Sequence, residues 1–227
     1  MEDTFRIVLI IILSYLAGSV PSALIVSKAF FGFDIREKGS GNMGSTNAFR
    51  VLGWKWGIVV QIADILKGAA AVLLIAPAIG SGIEMQGLLS EPLMLQFIAG
   101  VSAVCGHIWT VFAGFKGGKG INTAAGMLIG IVPVDAVIAL SIFVLVVVFS
   151  GYISLGSMAA SVAVPSSLFL RYNFFGVMIP DYDVLIYFFL ALSALLIFTH
   201  RSNVGRLIKG EENKFSKLQL IKLKLKK

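Results

Sequence analysis

Seven apolar runs dominate this chain and restrict it to one class of fold. They fall near residues 5–26, 56–79, 93–113, 119–133, 135–150, 154–171 and 183–199. Each approaches the roughly 20 apolar residues that carry a helix across a bilayer, though some are shorter. With 57% hydrophobic and 14% charged residues, the 227-residue chain is no ordinary soluble domain. The expected fold is all-α: a polytopic integral membrane protein of about seven transmembrane helices. It is read as one transmembrane domain over 1–214 and a basic tail over 215–227. The first run opens on acidic Met1-Glu2-Asp3 and is long enough to span, so it is taken as a span rather than a cleaved signal. Val20-Pro21-Ser22 can kink it, and Pro133 separates the fourth run from the fifth.

Charge orients the runs. Lys28, Arg36, Lys38, Arg50, Lys55, Lys116, Lys119 and nine more from Arg201 to Lys227 make sixteen of the nineteen lysines and arginines, all between alternate spans or after the last. The bias of such residues toward the cytoplasm places the N-terminus outside and the C-terminus inside. The net charge of +7 then points to membrane lipid or an anionic substrate rather than nucleic acid. Cys105 is the sole cysteine, which excludes a disulfide framework and a cysteine metal site. Neither metal nor cofactor is expected.

Three polar loops share the basic side. The first, Lys38 to Arg50, reads KGSGNMGSTNAFR; its hydroxyls, amides and arginine suit phosphate or polyol oxygens, although Gly/Ser-rich sequence is also linker composition. The second centres on Phe115-Lys116-Gly117-Gly118-Lys119-Gly120, where glycine amides beside lysines suggest a phosphate cradle, or only a basic topological turn. The third begins His200-Arg201-Ser202-Asn203 and continues to Arg206, with His200, Asn203 and Arg206 on one helical face. Three distant stretches on one side can converge on one site. Within the second span, Asp64 and Lys67 are three apart on one face: a self-neutralised structural pair or a substrate contact. His107 is read as a buried hydrogen-bonding residue or a ligand. No Gly-x-Ser-x-Gly elbow, zinc-protease motif or familiar general-base dyad occurs.

Taken together, the loops resemble the bacterial acyl-phosphate-dependent glycerol-3-phosphate acyltransferase family, the PlsY type. A first signature is met by Gly39, Ser40, Gly41, Asn42, Gly44, Thr46, Asn47 and Arg50. A second is met by Gly106, His107, Phe112 and Phe115 through Gly120. The third is met by His200, Arg201, Asn203, Arg206, Leu207, Gly210, Glu212 and Lys214. Met43, Thr110 and Val204 depart from these signatures, exchanging shape rather than chemistry. The resemblance implies a seven-helix fold in a bacterial inner membrane, with the active site on the cytoplasmic side. It implies acyl transfer from acyl phosphate to the 1-hydroxyl of glycerol 3-phosphate, with Ser40, Arg50, Lys119, His200 and Asn203 carrying catalysis. Gly39, Gly41, Asn42, Thr46, Asn47, Lys67, His107, Lys116, Gly117, Gly118, Gly120, Arg206 and Glu212 are the expected substrate-binding set. Arg50 and Lys119 would offset phosphate charge, the Gly117 and Gly118 amides would donate to a phosphate or oxyanion, and Ser40, His200 and Asn203 would orient the glycerol. Either a phosphate oxygen of the substrate or His200 takes the proton. A transporter of phosphorylated molecules and a lipid-binding scaffold are the rival readings; no internal repeat supports the former.

Overall fold

The computed structural model describes residues 1–83 and 91–215. Apart from Phe215, the basic tail expected over 215–227 lies outside the described residues. Two compact units divide the chain at Val132/Pro133.

In the first unit, α1 (Glu2–Ser19) and α2 (Ser22–Phe31) are two halves of the first apolar run. The break falls at Val20-Pro21: proline donates no N–H and bars the preceding residue from helical geometry. A three-residue 3₁₀ turn (Ile35–Glu37) and α3 (Ser45–Val51) build the first polar loop. That loop is no slack linker, because Ile35, Met43, Ala48 and Leu52 are buried in one apolar cluster with Ala23, Leu24, Val26, Val60 and Ala113. Next come α4 (Trp54–Ala70), a π-helical stretch (Ala71–Ile75) and α5 (Ala76–Gly80), running as one 27-residue apolar rod. α6 (Glu91–Ile108) leads through a 3₁₀ turn (Val111–Ala113) and the lysine–glycine loop to α7 (Ile121–Ile131).

Small residues decide which helices meet. A Cβ added at Gly68 on α4 would lie 2.0 Å from the Thr123 carbonyl oxygen on α7, and one at Gly126 on α7 would lie 2.0 Å from that of Ile65. The backbones therefore touch at reciprocal glycines, the close packing that lipid-embedded helices use. Gly18 and Gly106 join α1 to α6 in the same way.

The second unit contains α8 (Pro133–Ser150), α9 (Ile153–Asn173), α10 (Tyr182–Thr199) and α11 (Arg201–Ile208). Asp135 at the start of α8 is 1% exposed and accepts from Ser167 and Arg171 of α9, each at 2.6 Å. This pins the α8–α9 hairpin at that end. Tyr172 stacks on Tyr182 with ring centroids 3.8 Å apart, closing α9 onto α10.

Six apolar helical stretches are long enough to cross a membrane: 2–31, 54–80, 92–113, 133–150, 153–173 and 182–199. The expected fourth span, 119–133, is shorter than the sequence suggested. Its helix has 11 residues, about 16 Å of rise against a hydrocarbon core of about 30 Å. Gly120 caps it at one end and Val132-Pro133 ends it at the other.

Candidate active site

In the first loop, Asn47 is the organising residue. It is 1% exposed; its Oδ1 accepts from the Ser40 N–H at 2.8 Å, and its Nδ2 donates to the Ile35 and Lys38 carbonyls. Both ends of the amide of Asn47, one of the expected substrate-binding residues, hold the loop's backbone. Asn42 does similar work, its Oδ1 accepting from the Gly44 N–H at 3.0 Å. Gly39 and Gly41 have φ of 62° and 70°, the left-handed region where a Cβ is disfavoured. The outcome is an exposed Ser40 at the tip of a fixed turn, with Thr46 and Arg50 half-buried on α3.

The second loop departs from the sequence reading. The Gly117 N–H donates to the Ile108 carbonyl and the Gly118 N–H to the His107 carbonyl, both at 3.0 Å. These amides, expected to donate to a phosphate or oxyanion, here hold the loop against the end of α6. Their lack of side chains is needed for close approach: a Cβ at Gly117 would lie 2.0 Å from the His107 carbonyl oxygen, and one at Gly118 2.0 Å from His107 Nε2. Beyond them stand half-buried Lys119 and then Gly120, at φ 84°, opening α7; Lys116 is exposed. Asn122 Nδ2 donates to Ser45 Oγ at 2.9 Å, a link between the two loops that no motif indicated. Thr110, standing where the second signature has proline, is 2% exposed and donates to the Ser19 carbonyl beside the α1–α2 break.

Behind this loop lies a buried charge cluster. Asp64 Oδ1 receives Lys67 Nζ at 2.9 Å and Ser22 Oγ at 3.0 Å, with His107 Nδ1 at 3.7 Å. Lys67 also donates at 3.1 Å to the Val20 carbonyl, where the first span breaks, an oxygen that accepts from the Ser22 N–H as well. The pairing that i,i+3 spacing suggested is therefore present, with side chains 8% and 1% exposed. A cavity of about 10 Å³, room for about one water, lies among Pro21, Ser22, Met43, Asp64, Lys67, His107 and Gly118.

The second unit supplies the third constellation. His200, Asn203 and Glu212 are buried, and His200 Nδ1 lies 2.8 Å from the Leu196 carbonyl oxygen. Glu212 Oε1 accepts from Ser154 Oγ at 2.9 Å and Asn203 Nδ2 at 2.8 Å, while Oε2 accepts from Arg206 Nε at 2.7 Å. The shared face of Asn203 and Arg206 is real, and what it meets is a carboxylate. Burial alone would push the Glu212 carboxyl up; the hydrogen bonds from Asn203, Arg206 and Ser154 outweigh it and hold the group below its ordinary 4.5. Glu212 and Arg206, both in the expected substrate-binding set, are joined here to each other, and Glu212 also to Asn203. Among the described residues no cluster of three or more histidine, cysteine or carboxylate groups could hold a metal.

Comparison with known proteins gives these loops a context. A family model described as glycerol-3-phosphate acyltransferase matches residues 8–210. The chain belongs to that family. A glycerol-3-phosphate acyltransferase of Chlorobium phaeobacteroides (strain BS1) is 44% identical over 230 residues, covering 92% of this chain and 97% of the relative. One from Chlorobium phaeovibrioides is 46% identical over 223 residues, covering 90% and 94%. Two crystal structures of PlsY, an integral membrane glycerol 3-phosphate acyltransferase, share the fold. The glycerol 3-phosphate form has a TM-score of 0.77 at 32% identity, covering 92% of this chain and 95% of that one. The lysophosphatidic acid form has a TM-score of 0.76 at 31% identity, covering 94% and 97%. The protein is an integral membrane enzyme, a glycerol-3-phosphate acyltransferase.

Proposed function

We propose that the acyl donor is acyl phosphate, the acceptor the 1-hydroxyl of glycerol 3-phosphate, and the products lysophosphatidic acid and phosphate. The observation that carries the mechanism is the state of the two histidines. His107 Nδ1 stands 3.7 Å from Asp64, beyond hydrogen-bond distance, and His200 Nδ1 is turned to a backbone carbonyl. The 3.7 Å between His107 and Asp64 is longer than the roughly 2.6–3.2 Å of a general-base dyad, and the Leu196 carbonyl oxygen lies 2.8 Å from the His200 ring nitrogen.

The substrates make such a base unnecessary. An acyl phosphate is a mixed anhydride with a good leaving group. The glycerol hydroxyl oxygen attacks the acyl carbon, and the bond from that carbon to the bridging phosphate oxygen breaks. A phosphate oxygen, with a second pKa of about 6, takes the hydroxyl proton. Arg50 and Lys119 offset the repulsion between two phosphorylated substrates. With the Gly117 and Gly118 amides engaged, Lys119 works beside the first-turn N–H groups of α7, which have no intrahelical acceptor. Ser40, His200 and Asn203 orient the glycerol by hydrogen bonds. The clustering of lysine and arginine in the three loops supports a cytoplasmic active site, and the bacterial relatives support a location in the inner membrane.

The test is phosphate release by the protein in lipid, given acyl phosphate with and without glycerol 3-phosphate. Release that does not depend on glycerol 3-phosphate refutes the reaction. For the proton, His200→Ala is followed across pH. A reduced rate with an unchanged profile supports the phosphate as base, and loss of a limb near pH 6.5, the ordinary histidine range, makes His200 the base.

A further inference from the structure

Lys119 is bracketed by two hydrogen bonds that both come from the segment 34–50. Upstream, Arg36 Nη1 donates to the Ala113 carbonyl at 3.1 Å. Downstream, Asn122 Nδ2 donates to Ser45 Oγ at 2.9 Å. Between these points the chain passes through two consecutive left-handed residues, Gly114 at φ 66° and Phe115 at φ 59°. A phenylalanine there is disfavoured by its Cβ, and its side chain does not compensate, because Phe115 is 60% exposed. The turn is therefore held by its hydrogen bonds. Those at Phe115, Gly117 and Gly118 run to Thr110, Ile108 and His107, just upstream on the same strand of chain. They fix the loop to α6 but do not relate it to Ser40 and Arg50.

Arg36 is built for that second task. Asp34 accepts from the Arg36 backbone N–H at 3.0 Å, from Nε at 3.0 Å and from Nη2 at 2.7 Å. The guanidinium is thereby clamped to a carboxylate 13% exposed, with Nη1 directed at Ala113. The hydrogen bonds from Arg36 hold the Asp34 carboxyl down to about 2, so the clamp is charged at any working pH. Lys28 adds a distant cation at 3.8 Å. A lysine at position 36 would bring one nitrogen in place of the planar fork whose Nε and Nη2 hold Asp34 while Nη1 holds Ala113.

We propose that Arg36, set by Asp34, and Asn122, through Ser45, are positioning residues that hold the Lys119 loop in register with the loop bearing Ser40 and Arg50. Neither touches substrate. The inference rests on the acyltransferase reading for its kinetic consequence and on geometry alone for its structural one.

The experiment uses the full chain in lipid nanodiscs, with Arg36→Ala, Arg36→Lys and Asn122→Ala. Hydrogen–deuterium exchange is followed in 113–120 and, as a remote reference, in 153–173. Exchange in 113–120 should rise at least threefold in Arg36→Ala and Asn122→Ala, with 153–173 unchanged. No rise, or an equal rise in both segments, overturns the proposal. In the transfer assay, Arg36→Ala should lose at least tenfold in kcat/KM for glycerol 3-phosphate. Arg36→Lys should be intermediate, and millimolar guanidinium should restore part of the loss in Arg36→Ala. Full activity in a variant whose loop has loosened also overturns it. A wild type that transfers no acyl group refutes the proposed function instead, and the exchange result then decides the positioning role by itself.

Discussion

Replacing one partner of the Asp64–Lys67 pair tests the buried cluster most severely. In Asp64→Leu the Lys67 ammonium, 8% exposed, keeps only the Val20 carbonyl among its described acceptors. In Lys67→Met the Asp64 carboxylate, 1% exposed, keeps Ser22 and the more distant His107. A buried ion left without its partner costs about 3–5 kcal/mol. At roughly 2–4 °C per kcal/mol for a chain of this size, each single variant should unfold roughly 6–20 °C below wild type. The double variant Asp64→Leu with Lys67→Met removes both charges and replaces them with apolar volume, so it should return to within about 1–2 kcal/mol of wild type. A double-mutant cycle from reversible unfolding in mixed micelles reads the coupling, expected above about 2 kcal/mol. Single losses below about 1 kcal/mol, or strictly additive losses, would refute the view that these charges are desolvated and interdependent. Acyl transfer by the double variant separates the two roles the sequence left open for Lys67. A folded protein that retains activity makes the pair structural, and a folded but inactive one makes Lys67 a substrate contact.

Four further variants test other parts of the fold. Gly118→Ala puts a Cβ 2.0 Å from the Nε2 of buried His107, so the loop or the ring must move. The variant should lose about 1–3 kcal/mol and most of its activity. Gly205→Ala, with nothing within 4 Å inside α11, should be neutral or gain up to about 1 kcal/mol. Glu212→Gln turns an amide NH₂ toward Arg206 and should cost about 2 kcal/mol at pH 7. Because the folded Glu212 carboxyl sits below 4.5, its contribution is present above that pH and is lost as pH falls through the folded value. Wild-type stability should therefore decline below pH 4.5, and that part of the decline should vanish in Glu212→Gln. Thr110→Val removes the donor to the Ser19 carbonyl inside a buried contact and should lower stability by about 1 kcal/mol, read as an earlier thermal transition.

The apolar runs made the helices legible because length and hydropathy are local properties. Six of the seven reappear with ends within a few residues, and the shortest, over 119–133, became an 11-residue helix bounded by Gly120 and Pro133. The Asp64–Lys67 pair was equally legible, since i,i+3 spacing on a helix fixes who faces whom. Other partners were hidden by sequence distance. Arg36 and Ala113 are 77 residues apart, Ser45 and Asn122 also 77, Ser154 and Glu212 58. No periodicity connects such positions, and only the folded backbone brings them within 3.1 Å.

Motif membership also left open which polar residue meets the substrate. An amide or carboxylate in a signature is equally suited to grip a ligand or to tie down the loop that does, and burial with full hydrogen bonding separates the two. Asn47 has all its described bonds directed at backbone, and Glu212 has both oxygens occupied, so their chemistry is consumed within the fold. The same holds for the Gly117 and Gly118 amides, which looked like a phosphate cradle and are the hinge that presses Lys119's loop onto His107. A loop that must keep a lysine beside a doubly charged substrate cannot rely on the substrate for its shape. It needs internal bonds that persist when the site is empty, and most of the signature's asparagine, glutamate and glycine supplies them.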